Sequence, residues 1–144
     1  MSVKEFKEFI VSGIVKKQSI NKSRAESLVN EAEEKRAFLE IAMKSIPEEK
    51  MNPNFVIDSC YDIIMELVRA RLFLAGFNSG SHEAEVSYMR ELGFPEADVR
   101  FADELRYNRN GIKYYGTSHD IEYAKKVLGF MKRLHPLLVA DGPR

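Results

Sequence analysis

This chain has little that would announce a chemistry. Cys60 is its only cysteine, so no internal disulfide and no cysteine zinc cluster is available to it. Its Lys and Arg residues number 22 and its Asp and Glu residues 22, giving no net charge. That balance argues against bulk coating of DNA and leaves room only for a local basic patch. No apolar run reaches the ~18 residues of a membrane span, and the N-terminal stretch has no signal-peptide core. A cytoplasmic setting is expected. No segment shows the valine- and isoleucine-rich alternation of strands, so no sheet is expected. Also missing are a nucleotide-binding glycine loop, a helical His-Glu-x-x-His motif and a Ser-His-Asp arrangement. No cofactor and no metal site is expected.

What the chain does have is helical periodicity over 144 residues, 44% hydrophobic and 31% charged. Val3, Phe6, Phe9, Ile10 and Ile14 form a first stripe. Ser23-Arg-Ala-Glu26 offers a capping box for a second helix, which Pro47 stops. Asn52-Pro53 opens a third, apolar on much of its circumference to about residue 76, which predicts the most buried helix. Ser81 caps a short fourth, and a fifth runs from about Glu96. A sixth follows Thr117-Ser-His-Asp120 and closes at Pro136, with the tail 140–144 expected to fray. The connections are short, so neighbours should pack antiparallel. The fold expected is all-α: one domain over 1–144, a single antiparallel up-and-down bundle of five to six helices.

The most informative stretch is Leu105-Arg-Tyr-Asn-Arg-Asn-Gly-Ile-Lys-Tyr-Tyr115 on the fifth helix. At roughly 100° per residue, and relative to Leu105, Phe101 lies at roughly −40°, Ile112 at roughly −20° and Ala102 at roughly +60°. Arg109 falls at roughly +40°, inside that core-facing arc. A guanidinium keeps its charge and is costly to bury unpaired, so Arg109 must meet an acidic partner or an anionic ligand. On the third helix Asp58, Asp62 and Glu66 recur every four residues on one face, where like charges repel. The stripe is either solvated and partly relieved by Arg69, or one of its acids faces Arg106 or Arg109; three carboxylates on one helix do not surround a metal. Tyr107, Tyr114 and Tyr115 interleave with Arg106, Arg109 and Lys113. Such residues suit base stacking with phosphate contacts, or a protein interface. His82, His119 and His135 read as local structural groups, and Cys60 as a small buried hydrophobe.

The run Ser59-Cys-Tyr-Asp-Ile-Ile-Met-Glu-Leu-Val-Arg-Ala-Arg71, then Gly76-Phe77, Ser81-His-Glu-Ala84, Leu105-Arg-Tyr-Asn-Arg-Asn110 and Tyr114-Tyr-Gly116, resembles the HEPN domains (higher eukaryotes and prokaryotes nucleotide-binding) over the second half to two-thirds of the chain. The resemblance implies a helical bundle that often dimerises. It also implies either a metal-independent ribonuclease of toxin–antitoxin type, paired with a small nucleotidyltransferase, or a non-catalytic RNA-binding or partner module. The family's ribonuclease motif is an arginine followed a turn or so later by a histidine. After Arg109-Asn110 that place holds Tyr114, Tyr115 and Gly116; after Arg106 it holds Gly111, Ile112 and Lys113. Tyrosine, with a pKa near 10, is a poor base at neutral pH. The expectation is therefore a homodimeric, catalytically degenerate domain. It binds RNA or a nucleotide phosphate through Arg106, Arg109, Asn110, Lys113 and Tyr114, with Asp62 or Glu66 holding an arginine in place. Were it active, Arg109, Asn110 and Tyr114 would be the residues concerned. The alternatives are a weak ribonuclease and a module that docks a partner such as a nucleotidyltransferase.

Overall fold

The computed structural model describes residues 2–139. Among them are six α-helices: α1 (Phe6–Val11), α2 (Lys22–Ser45), α3 (Pro53–Leu74), α4 (His82–Glu91), α5 (Glu96–Tyr115) and α6 (Ile121–Val139). The protein is mainly all-α, a helical bundle. α3 is its axis. Thirteen of its residues are buried, and α2, α4, α5 and α6 all pack against it. Its start follows the sequence signal: the Asn52 side chain accepts from the Phe55 N–H at 3.2 Å and proline stands in the first turn. Cys60 lies wholly inside the core, where burial pushes its thiol up to about 12, so it is inert. Among the described residues no helix is long and apolar enough to cross a membrane.

Four details differ from the sequence expectation. A small sheet is present. Strands β1 (Val15–Lys17) and β2 (Phe77–Ser79) pair antiparallel, Val15 opposite Ser79 and Lys17 opposite Phe77. Three residues are too few for alternation to register in a sequence. What holds the pair is long-range, the Gln18 N–H donating to Gly76 O at 2.8 Å and the Gly80 N–H to Ile14 O at 3.2 Å. Gly76 is required here: its φ is +82°, and a Cβ would stand 2.8 Å from Gln18 O. The first helix is also shorter than its stripe. It ends before Gly13, and Ile14 is exposed. The cap of α2 is Asn21, which accepts from the Arg24 N–H at 3.0 Å, leaving Ser23 inside the helix. Finally, α6 runs through Pro136 to Val139. Proline there removes only one hydrogen bond, to the carbonyl of Lys132, an exposed residue near the end of the helix. The tail 140–144 lies outside the described residues.

Candidate functional site

The acidic stripe of α3 turns toward two partners, Arg109 and Lys35. Arg109 of α5 is 8% exposed. Its Nε donates to Asp58 Oδ1 at 3.0 Å, its Nη2 lies 3.6 Å from Asp62 Oδ1, and its guanidinium sits 5.3 Å from the centre of the Tyr61 ring. Placing Arg109 inside the apolar arc thus gives the right burial, and the α3 stripe supplies its counter-charge. Asp62 is one of the two acids expected to hold an arginine. Glu66 is not the other: its carboxylate pairs with Lys35, one helix away on α2, and Asp58 takes the role instead. Burial raises the carboxyl pKa of both Asp62 and Glu66 above the ordinary range. Asp58 adds to this at Asp62, while Arg109 and Lys35 pull the two groups down. Arg106 turns back along its own helix to Asp103, Nε to Oδ1 at 2.9 Å. Lys113 is exposed.

A second ion cluster adjoins the first, and the sequence reading missed it. Arg69 clamps Glu85 of α4 with two bonds, Nε to Oε2 at 2.8 Å and Nη2 to Oε1 at 3.1 Å. His82 Nδ1 lies 2.7 Å from Glu85 Oε1. Glu85 is 2% exposed. The Tyr61 ring joins the clusters, meeting His82 edge-on at 5.8 Å while Arg109 lies over it. Its hydroxyl is buried with no partner, and burial raises its pKa. The His82–Glu85 spacing of three was the one local signal; Arg69 gave none, because its partner is on another helix.

The remaining predicted residues lie elsewhere. Asn110 and Tyr114 open onto a cavity of about 440 Å³ at the C-terminal end of α5, with Tyr107, Asn108, Tyr115 and His119. Arg106, Arg109 and Lys113 do not line it. The helix itself explains the split: at roughly 100° per residue the three cations cluster on one side of α5 and the three tyrosines on the other. The structure therefore separates the expected Arg/Lys/Tyr groove into a cationic side, from which Arg109 closes onto α3, and an aromatic groove away from it.

The groove depends on a chain reversal. Gly116 ends α5 with φ +67°. Thr117 then folds back, its N–H donating to Gly111 O at 3.1 Å, and a Cβ on Gly111 would stand 3.2 Å from Thr117 Oγ1. Asn54 of α3 fixes the return, donating from Nδ2 to Thr117 O at 3.0 Å and accepting from the His119 N–H at 3.1 Å. His119, too late in the sequence for the family's motif, is thereby returned to the groove beside Asn110 and Tyr114. Its ring lies against Tyr123 at 5.1 Å, and its Nε2 is buried with no partner. Among the described residues no group of three or more His, Cys, Asp or Glu is placed to hold a metal. No family model, no curated protein and no solved structure matches the chain.

Proposed function

We propose that this is a HEPN-like helical domain that binds RNA or a nucleotide in the groove at the end of α5, reading it by stacking on tyrosine more than by phosphate contact. The observation that carries this is the exposure of Tyr107, Tyr114 and Tyr115, at 74%, 66% and 84%, around a cavity of about 440 Å³ with no charged wall. Amide, hydroxyl and imidazole groups match the uncharged edges of a base, and tyrosine faces suit its ring. Phosphate would fall to Lys113 at most, because Arg109 and Arg106 already face acids. Affinity for a short single-stranded RNA is then expected to fall only gently with salt, with a slope near −0.7 for about one contact. Tyr114→Ala is expected to weaken binding about tenfold, and Arg109→Ala to leave it unchanged in whatever fraction remains folded. Fluorescence anisotropy over a salt series measures both. An unchanged affinity in Tyr114→Ala overturns the reading. If RNA does not bind, and Tyr114→Ala instead dissociates a dimer or a nucleotidyltransferase partner, the groove is a protein interface.

His119 favours one further reading, a weak metal-independent ribonuclease. It puts an imidazole, a side chain able to serve as a general base, where Tyr114 alone would be a poor one. Our reading expects no cleavage of a mixed RNA pool in excess EDTA, because no arginine shares the groove with that imidazole. Cleavage by the purified chain that disappears in His119→Ala would establish the ribonuclease instead.

A further inference from the structure

Another cavity is lined by none of these groove residues, and no role described above uses it. α2 and α6 both pack on α3 but scarcely touch one another, and between them runs a cleft of about 480 Å³. Its apolar walls are Leu39 and Met43 from α2 and Leu128 and Met131 from α6. Leu39 and Met131 are fully inside the core, so the cleft is floored by core and not by loose surface chains. Methionine suits such a wall, since its unbranched thioether adapts to irregular shapes. A hydrogen bond between His135 and Glu33 bridges the two helices beside it.

The polar groups around this apolar floor carry mostly one sign. Arg36, Lys44 and Lys132 line it, against a single carboxylate, Glu40. That carboxyl is held below its ordinary range, first by its hydrogen bond from Lys44, which fits a positive surrounding. Arg36 reaches Glu33 through Nη2 at 3.3 Å and Glu40 through Nη1 at a longer 3.8 Å, while Lys132 has no ion pair among the described residues. The long contact to Glu40 is the weaker of the two, so a ligand oxygen can compete for that edge of the guanidinium while Lys132 supplies a second, unpaired cation. An apolar trough of this size, with a few converging donors, has the make-up of a small-molecule site.

We propose that the α2–α6 cleft binds a small anionic amphiphile. Its single carboxylate or phosphate-type head is received by Arg36 and Lys132, and its hydrocarbon body lies along Leu39, Met43, Leu128 and Met131. Burial of the tail supplies the non-directional part of the affinity, and the guanidinium fork and the lysine select the sign of the head.

Isothermal titration of the full chain with octanoate and with octyl phosphate, both below their micelle concentrations, tests this. Acetate serves as a head without a tail and octylamine as a tail with the wrong charge. At least one of the two anionic amphiphiles is expected to bind saturably at one site, and which of them binds more tightly identifies the head group. Acetate and octylamine are expected not to bind. Arg36→Ala is expected to weaken binding about tenfold, as loss of one charge-assisted bond implies. Met43→Trp, a partly buried position with room toward the cleft, is expected to abolish it. Absence of saturable binding by both anionic amphiphiles, equal binding of octylamine, or undiminished affinity in both variants overturns the proposal. RNA affinity serves as the independent reading: these variants leave the α5 groove untouched, so a loss there would report unfolding.

Discussion

Replacing Arg69 with alanine is expected to lower the stability of the fold by about 3–5 kcal/mol, a large share of what a domain of this size has. The reason lies in its partner. Glu85 is 2% exposed and both of its oxygens accept from Arg69, at 2.8 and 3.1 Å. Removing the guanidinium leaves a buried carboxylate facing only His82, whose ring is partly open to solvent. Exposed ion pairs on α2, such as Lys44 with Glu40, are worth little by comparison because water screens both ends. Urea unfolding followed by circular dichroism measures the difference. The double replacement Arg69→Met with Glu85→Leu provides the control. A buried pair exchanged for apolar groups of similar volume is often neutral or better, so the double variant is expected to recover most of the loss. If the single variant were as stable as the parent, the Arg69–Glu85 clamp would have no structural weight.

That clamp also shows where sequence reasoning stops. Amphipathic stripes gave the existence and order of α2 to α6 and most of their ends to within a few residues, because stripes are local and repeat every turn; the cap of α2 and the end of α6 were the exceptions. The same geometry gave the burial of Arg109, since an angle on a helix is a local quantity. Partner choice is not local. Whether Glu66 faces Arg109 or Lys35 depends on how α2 and α5 each lie across α3, and the period of α3 is indifferent to it. The β1–β2 pair depends on Gln18 meeting Gly76, far away along the chain. The return of His119 to the groove depends on one left-handed glycine and on Asn54, neither of which alters any periodicity. Grouping Arg109 with Tyr114 went wrong for a related reason: residues five apart lie on opposite sides of a helix, roughly 140° apart, however close they stand in the sequence.

The second large effect follows from that separation. Arg109→Ala is expected to lower stability by about 2–3 kcal/mol, through the lost charge-assisted bond to Asp58 and the lost contact over the Tyr61 ring. The penalty is smaller than at Arg69 because the stranded acids are less buried: the side chains of Asp58 and Asp62 are 43% and 34% exposed, so water takes over part of the guanidinium's work. The deficit should also depend on pH. In the parent, burial and Asp58 already hold the Asp62 carboxyl above its ordinary range, and Arg109 pulls it down. Without Arg109 it rises further. A carboxyl raised in the folded state contributes stability that is fully present below its unfolded value, near 4, and lost as pH rises through the folded one. The gap between variant and parent is therefore smallest in acid and complete by neutral pH. Arg109→Glu, which would set a third acid against Asp58 and Asp62, is expected to fall further still and to show the steeper pH dependence. Denaturation midpoints of the three proteins from about pH 3 to pH 7 measure this. A deficit that is constant with pH, or that grows toward acid, would show that Arg109 acts through packing and not as the counter-charge of α3, and would free it for the ligand.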